Sequence, residues 1–189
     1  MKKILVLGTG AQGTTVAKRL DEEPDVGEII CADYNKAAVD ELVSSLTKAK
    51  GVQCDASDVE SIIRCAEGAD LIVNALPLEF GKNVLDAALA VKANYQDFSS
   101  SNAFDDDVIM GWVRGMRYQF EVYSPKFKEI GRLAIVGTGS APGLICCATR
   151  DAMKYLDTCN TIYNFVWEGA EAKRFQPFWW SPETAIEDM

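Results

Sequence analysis

The stretch Gly8-Thr9-Gly10-Ala11-Gln12-Gly13 places three glycines in the order G-x-G-x-x-G. It follows a short apolar run at residues 4–7 and precedes apolar residues at helical spacing. In such a setting the first glycine allows a tight turn and the second lets the backbone approach a pyrophosphate. The third lets helix and strand pack closely, and the start of the helix faces the phosphate charge. The pattern predicts a dinucleotide-binding turn.

Working outward from that turn, apolar runs alternate with segments of helical periodicity. The predicted strands cover residues 4–7, 29–32, 52–54, 71–76, 95–98 and 133–136. Strands that are apolar throughout and separated by helices indicate a parallel sheet covered on both faces. We therefore predict an α/β fold, a doubly wound parallel (Rossmann) sheet over residues 1–150. The beginning of a second, incomplete α+β domain for substrate binding or dimerisation is predicted over residues 151–189.

Two local features of the helices are also predicted. Ser57 and Glu60 have the spacing of a capping box ahead of an apolar helical stripe. Residues 111–123 mix aromatic and polar side chains, which fits either a packed surface helix or a lid or oligomer contact. Ser124 and Pro125 predict a helix start, and Gly131 predicts its end.

Composition narrows the range of functions. The chain has 189 residues, a formal net charge of −9 and no histidine. The acidic balance disfavours nucleic acid and anionic membrane as partners, and no apolar run is long enough to span a bilayer. Six cysteines without a C-x-x-C pair predict reduced, buried thiols in a cytoplasmic protein. No metal site is predicted, because the chain lacks histidine, the commonest zinc ligand.

The expected cofactor is NAD. Asp33 stands twenty residues beyond Gly13, at the end of the second predicted strand, where a carboxylate accepts hydrogen bonds from ribose hydroxyls. A 2′-phosphate would meet that carboxylate, and Lys36 is the one cation close by in the sequence. The residues expected to bind the cofactor are Gly8, Gly10, Ala11, Gln12, Gly13, Asp33, Tyr34, Asp55, Ala56, Ala75, Leu76, Pro77 and Ser99.

Several of these residues have a second interpretation. Pro77 serves equally well as the end of a strand. Asp97 ends the fifth predicted strand on the same carboxyl edge, and it is equally well explained as a solvated loop carboxylate.

A second glycine-rich turn, residues 137–143, follows the sixth predicted strand and precedes a helix. Because it lacks the Lys-Ser/Thr ending of a P-loop, nucleotide hydrolysis is disfavoured. Its backbone amides are expected to face cofactor or substrate.

At this point the sequence resembles the saccharopine dehydrogenase family, and within it the lysine 6-dehydrogenase-like members. The motifs concerned are G-T-G-A-Q-G, N-A-L-P, Y-Q-D-F-S, G-S-A-P-G-L and W-W-S-P-E. The resemblance implies a Rossmann domain followed by an α/β substrate domain, and hydride transfer between a nicotinamide and the C–N bond of an amino acid. It also implies that Ser99 and Asp97 line the cleft, and that Ser140 and Trp180 lie near the substrate.

The residues alone do not identify the catalytic base. Asp97 and Glu168 are candidates and Lys82 is a weaker one, while Arg174 is a candidate for holding a substrate carboxylate. The leading hypothesis is an NAD-dependent amino acid dehydrogenase acting on lysine or a saccharopine-like substrate, expected as a homo-oligomer. The alternative is an NAD(H)-sensing module that regulates a partner. Against the alternative stand the many aromatic residues between 161 and 181.

The last 39 residues are too few for a domain that folds alone, which favours a truncated enzyme. Such a chain would bind NAD without turnover. Its aromatic residues, including Trp180, would promote association between copies.

Overall fold

A six-stranded parallel sheet forms the centre of the computed structural model, which describes residues 1–98 and 111–165. The order of strands across the sheet is β3-β2-β1-β4-β5-β6. The chain order of the strands is β1 (Lys2–Leu7), β2 (Val26–Asp33), β3 (Ala49–Gln53), β4 (Leu71–Asn74), β5 (Asn94–Asp97) and β6 (Ala134–Ile135). All pairs are parallel, and the order reverses between β1 and β4, where ligands bind in such sheets. The predicted α/β fold class is confirmed.

The helices that follow the strands are α1 (Ala11–Glu22), α2 (Lys36–Val43), α3 (Val59–Cys65), α4 (Gly81–Val91), α5 (Gly111–Tyr118), α6 (Ser124–Glu129) and α7 (Leu144–Ala152). Five of the helices described, α1 to α4 and α6, bury residues in the core, whereas α7 has no buried residue. The predicted cap of α3 was one residue early. Asp58, not Ser57, caps α3, because its carboxylate accepts the Glu60 N–H at 3.0 Å.

The core lies on both faces of the sheet, as the apolar strands predicted. One cluster joins β1, β2 and β4 to α1 and α2, and it includes Val6, Ile29 and Val39. The other packs α3, α4 and the residues around Tyr123 against the opposite face. Burial on both faces explains why the central strands carry so few polar side chains.

Every strand differs from its predicted bounds by one to three residues at one or both ends. The third begins at Ala49 rather than at residue 52, because its backbone pairs with β2 from Ile29 onward. It is an edge strand with exposed polar residues, so its apolar signal is weak. The sixth is only two residues long.

Helices α5 and α6 are joined by a π-helical turn, Gln119–Tyr123. The predicted start at Ser124 and Pro125 is confirmed. Gly131 follows α6 in the left-handed region, with φ of 64°, which suits a glycine after a helix. Tyr123 and Phe127 are buried, so this part of the segment is packed against the domain.

Contacts divide the chain after Cys147 into two units, near the predicted boundary at residue 150. The described part of the second unit contains the end of α7 and a 3-10 turn, Met153–Tyr155. Its nature as the start of a substrate domain stays a prediction. Within residues 1–98 and 111–165, no helix is both long and apolar enough to cross a membrane.

The cysteines correct one expectation. Cys31, Cys54 and Cys65 are buried, and burial raises the pKa of Cys31 to about 11. The other three, Cys146, Cys147 and Cys159, are exposed. The prediction of buried thiols is therefore wrong for this second group, which lies in and after α7.

Candidate dinucleotide-binding site

Close backbone packing requires two glycines of the first turn (residues 8–13). Gly8 has a φ of 91°, and a Cβ there would stand 2.7 Å from the carbonyl oxygen of Ala75. A Cβ on Gly13 would stand 1.8 Å from the carbonyl oxygen of Gly8. The turn, the start of α1 and the end of β4 are thus in direct contact. Any side chain at Gly8 or Gly13 would push them apart.

Gly10 differs from Gly8 and Gly13 because a Cβ there would meet nothing within 4 Å. Its backbone has a φ of −66° and is the N-cap of α1, with no side-chain hydrogen bond. Ala11 and Gln12, which open the helix, are exposed. The first amides of α1 therefore face open space beside a residue without a side chain, which fits a pyrophosphate.

Asp33 ends β2 and is hydrogen-bonded to the first turn. Its Oδ2 accepts the Thr9 N–H at 2.7 Å and the Thr9 hydroxyl at 3.1 Å. Its Oδ1 accepts the Asn35 N–H at 2.9 Å. Asp33 remains half-buried, at the open edge of the sheet, and the adjacent Tyr34 is 73% exposed. The first turn thus orients the Asp33 carboxylate through Thr9.

Asp55 and Ala56 follow β3 at the same edge but are oriented differently. Asp55 is exposed and accepts from the Ser57 N–H and hydroxyl, which lower the pKa of its carboxyl. Ala56 is buried, and its carbonyl oxygen accepts from the Asn83 side chain at 3.0 Å. This segment is therefore held by Ser57 within it and by Asn83 of α4.

The 75–77 loop follows β4 beside the first turn. The Ala75 N–H donates to the carbonyl oxygen of Leu7 at 2.8 Å. The Leu76 N–H donates to the Asn74 side-chain oxygen at 3.1 Å. Ala75 and Leu76 are half-buried and Pro77 is exposed, just before a 3-10 turn at Leu78–Phe80. The loop lies at the switch point, as expected.

Asp97 ends β5, is 3% exposed and uses both carboxylate oxygens within the protein. Its Oδ1 accepts the Gly137 N–H at 2.7 Å, and its Oδ2 accepts the Tyr95 hydroxyl at 2.8 Å. Burial raises the pKa of Asp97 to about 6, although these two hydrogen bonds oppose that shift. It is not the solvated loop carboxylate that one interpretation expected.

The second turn (residues 137–143) is closed by its own backbone. A Cβ on Gly143, whose φ is 126°, would stand 2.3 Å from the carbonyl oxygen of Gly139. A Cβ on Gly139 would stand 2.4 Å from the carbonyl oxygen of Phe98. Ser140 is exposed at the tip of this turn. The turn therefore presents Ser140 outward but has little room beside its glycines.

The structure brings the first turn, Asp33, the 75–77 loop and the Asp97–Gly137 contact to the carboxyl edge of one sheet. The Lys82 ammonium is paired with Asp86 at 2.7 Å, and that hydrogen bond raises the pKa of Lys82. A lysine held protonated is a poor base. The remaining predicted site residues lie outside the described residues: Ser99, Glu168, Arg174 and Trp180.

Sequence reasoning missed Thr9, Asn74, Tyr95 and Thr138 as site residues. Asn74 and Tyr95 are buried, and the Asn74 amide donates to the Tyr95 hydroxyl at 3.1 Å. Thr138 donates its hydroxyl to the carbonyl oxygen of Asp97 at 2.6 Å. The available signal was a polar residue ending an apolar strand, which Asn74 displays after Leu71, Ile72 and Val73.

Comparison with known proteins agrees with this geometry. Residues 4–121, more than half of the chain, match the family model described as the saccharopine dehydrogenase NADP binding domain. The chain belongs to this family. The predicted resemblance to saccharopine dehydrogenases is thereby confirmed at the level of the family.

Curated relatives of this family member have longer chains. Carboxyaminopropylagmatine dehydrogenase from Synechocystis sp. is 29% identical over 161 residues, covering 82% of this chain and 38% of that protein. Carboxynorspermidine synthase from Vibrio cholerae is 29% identical over 174 residues, covering 84% of this chain and 41% of that protein. The chain thus spans about two fifths of the length of these relatives. Neither is a lysine dehydrogenase by name, so the narrower likeness to lysine 6-dehydrogenases stays a prediction.

Solved structures support the fold of the family. Saccharopine dehydrogenase (L-Glu forming) from Saccharomyces cerevisiae matches with a TM-score of 0.62 at 19% identity. The match covers 82% of this chain and 32% of that one. A short-chain dehydrogenase/reductase from Vibrio parahaemolyticus matches with a TM-score of 0.55 at 13% identity, covering 70% and 81% of the two chains. At these identities the likeness concerns the fold alone.

Proposed function

We propose that this chain binds NAD at the carboxyl edge of its sheet and serves an oxidoreductase that acts on the C–N bond of an amino acid or a related carboxylated amine. The open position at Gly10 carries this proposal, because the uncapped start of α1 and the missing side chain leave room for a pyrophosphate. The family match supports a nicotinamide dinucleotide as the ligand.

The choice of NAD over NADP rests on charge at the end of β2. The Asp33 carboxylate lies where the adenosine ribose is expected, and it would repel a 2′-phosphate. Lys36 is paired with Asp40 one helical turn along α2, so its charge is already balanced. The family's name mentions NADP, and these contacts favour the other cofactor for this chain.

Different groups in the site are proposed to bind different parts of the cofactor. The first amides of α1 would hold the pyrophosphate, and Asp33 would accept from the ribose hydroxyls. Tyr34, Asp55 and Ala56 would border the adenine, and the 75–77 loop would border the nicotinamide. When bound, a nicotinamide exchanges a hydride with a substrate carbon. The protein's part is to orient it and to keep water from the reacting face.

The proton acceptor is a separate question. A base must lie within hydrogen-bond reach of the substrate, and Asp97 is 3% exposed, with both oxygens hydrogen-bonded inside the protein. Asp97 is therefore a weaker candidate than its position suggests, and Glu168 is proposed as the alternative. Ser140, Arg174 and Trp180 are proposed to contact the substrate.

The names of the relatives suggest the kind of substrate. Carboxynorspermidine and carboxyaminopropylagmatine both combine a carboxylate with a chain that contains amines. Saccharopine has the same combination. We therefore propose a substrate with a carboxylate near an amine nitrogen, oxidised or formed at the carbon next to that nitrogen.

Titration of the chain with NADH and with NADPH tests the cofactor proposal. NADH fluorescence should rise on binding, and NADPH should bind at least about tenfold more weakly, a difference of about 1.4 kcal/mol. Equal binding of the two would contradict the role given to Asp33. The absence of any binding would refute the dinucleotide site.

A second assay follows NADH formation with lysine, saccharopine and carboxynorspermidine as substrates. Turnover with one of them would support the proposed reaction. NADH binding without turnover on any of the three is the expected result both for a truncated enzyme and for a sensing module, so turnover is the outcome that separates the two.

A further inference from the structure

Three buried polar side chains lie on one face of the sheet beside the site. Asn74 and Asp97 are opposite each other in the pairing of β4 with β5, and Tyr95 precedes Asp97 by two residues. Residues two apart in a strand point to the same face, so all three share it. Their exposed fractions are 5% for Asn74, 1% for Tyr95 and 3% for Asp97. Buried polar groups of this kind need partners.

Their hydrogen bonds form one continuous chain between two loops. The Leu76 N–H donates to Asn74 Oδ1 at 3.1 Å, and Asn74 Nδ2 donates to the Tyr95 hydroxyl at 3.1 Å. That hydroxyl donates to Asp97 Oδ2 at 2.8 Å, and the Gly137 N–H donates to Asp97 Oδ1 at 2.7 Å. The chain crosses β5 and joins the 75–77 loop to the second turn.

Protonation states suit this direction of donation. Burial beside Asp97 raises the pKa of Tyr95, so its hydroxyl keeps the proton that it donates. The pKa of Asp97 is about 6, so its carboxylate is ionised at neutral pH and accepts two hydrogen bonds. Hydrogen bonds to a charged acceptor are the stronger kind.

We propose that Asn74, Tyr95 and Asp97 are positioning residues, a relay that fixes the 75–77 loop relative to the second turn. The proposal rests on the proposed function in one respect, since the nicotinamide end of the cofactor is expected between these loops. Ala75 also abuts the first turn, because a Cβ on Gly8 would meet its carbonyl oxygen at 2.7 Å. The relay thereby connects the pyrophosphate turn with the turn that carries Ser140.

Tyr95→Phe tests the relay because it removes the central hydroxyl and keeps the ring. Amide hydrogen exchange of the ligand-free chain should quicken about tenfold at both Leu76 and Gly137, as expected for the loss of one or two hydrogen bonds. The Ile29 amide donates to the carbonyl oxygen of Lys48 in the other half of the sheet, and its exchange rate should not change. Tyr155→Phe, at an 82% exposed tyrosine, is the matched control and should change neither amide.

A ligand comparison separates positioning from general loss of stability. In Tyr95→Phe, NADH should bind about fivefold more weakly, while ADP-ribose, which lacks the nicotinamide, should bind as it does to the parent chain. Equal weakening of both ligands would overturn the positioning role. If the parent binds neither ligand, the cofactor proposal fails, and the exchange rates still decide whether the relay exists.

Should Tyr95→Phe fail to fold, Asn74→Ala tests the relay from its other end. It removes the acceptor of the Leu76 N–H directly, so the informative amide is the remote one at Gly137. Faster exchange at Gly137 would support the relay. An unchanged Gly137 amide in Asn74→Ala would show that each loop is held separately and would overturn the proposal.

Discussion

The first turn and the second turn share one plan and differ in what they leave open. Each follows a strand, precedes a helix, and is held by an aspartate that ends the neighbouring strand. Asp33 accepts the Thr9 N–H at 2.7 Å, and Asp97 accepts the Gly137 N–H at 2.7 Å. Asp33 is half-buried at an open edge, whereas Asp97 is 3% exposed.

The glycines show the same contrast. In the first turn, Gly10 stands in open space between two glycines that backbone atoms crowd. In the second turn, Gly139 and Gly143 are both crowded by backbone oxygens. The proposed phosphate site therefore lies at the turn in which one glycine is left uncovered. The second turn uses its glycines to close on itself, which fits a part in shaping the site.

The largest effect is expected from Gly13→Ala, which breaks the packing of the first turn. Its Cβ would stand 1.8 Å from the carbonyl oxygen of Gly8, where neither backbone segment can move freely. Overpacking of this kind should lower the free energy of unfolding by about 3 kcal/mol or more. Urea denaturation measures this loss. The control is Gly10→Ala, which should lower the free energy of unfolding by no more than about 1 kcal/mol. Equal losses in both variants would mean that the turn is looser than its contacts indicate.

Asp97→Asn should change how the free energy of unfolding depends on pH, which tests the burial that distinguishes Asp97 from Asp33. The pKa of Asp97 is raised from an ordinary 3.8 to about 6, so the folded protein holds its proton more tightly than the unfolded chain does. The stability from this group is therefore complete below about pH 4 and is lost as pH rises through 6. Relative to Asp97→Asn, the parent should lose up to about 3 kcal/mol between pH ~4 and pH ~7.

Other carboxyls do not obscure this comparison. Asp21 and Asp70 have lowered pKa values because backbone amides and cations stabilise their charge, but they are present in both proteins. Urea denaturation of parent and variant across this pH range gives the difference directly. A difference that stays constant with pH would show that Asp97 is not buried as described.

Gly10→Val separates ligand binding from folding at the first turn. The backbone there has a φ of −66° and a ψ of −167°, which valine adopts without strain, and no atom lies within 4 Å of the added Cβ. The side chain would instead occupy the space proposed for the pyrophosphate. NADH binding should weaken at least about 100-fold, or about 2.7 kcal/mol. Circular dichroism should show an unchanged fold, and retained NADH fluorescence enhancement would place the ligand elsewhere.

What the sequence predicted well depends on short-range spacing. The first turn and Asp33 lie within a stretch of fixed spacing, so their relation in space follows from the motif. The apolar strands predicted the sheet for the same reason. The edge strand β3 was located less well, because polar residues such as Lys50 and Gln53 hide its pairing.

What the sequence could not predict depends on register between strands. Asn74 and Asp97 become partners through Tyr95 only because β4 and β5 pair with those residues side by side. No spacing along the chain encodes that register. The sequence therefore offered Asp97 as a catalytic candidate and gave no sign of the hydrogen bonds that occupy its oxygens.

The smallest effect is expected from Asp33→Ala, which tests the half-buried aspartate of the first turn as Asp97→Asn tests the buried aspartate of the second. Loss of the carboxylate removes the proposed acceptor of the ribose hydroxyls, so NAD should bind about tenfold more weakly, or about 1.4 kcal/mol. The affinity for NADP should fall less, because the variant no longer repels the 2′-phosphate. The difference in affinity between NAD and NADP should therefore narrow. Asp33→Asn keeps an acceptor for the Thr9 N–H and thus separates the effect of charge from that of the turn. Asp25→Ala, at an exposed position, controls for the change in net charge. Calorimetric titration with both cofactors measures the preference, and an unmutated chain that binds NADP as tightly as NAD would contradict the role proposed for Asp33.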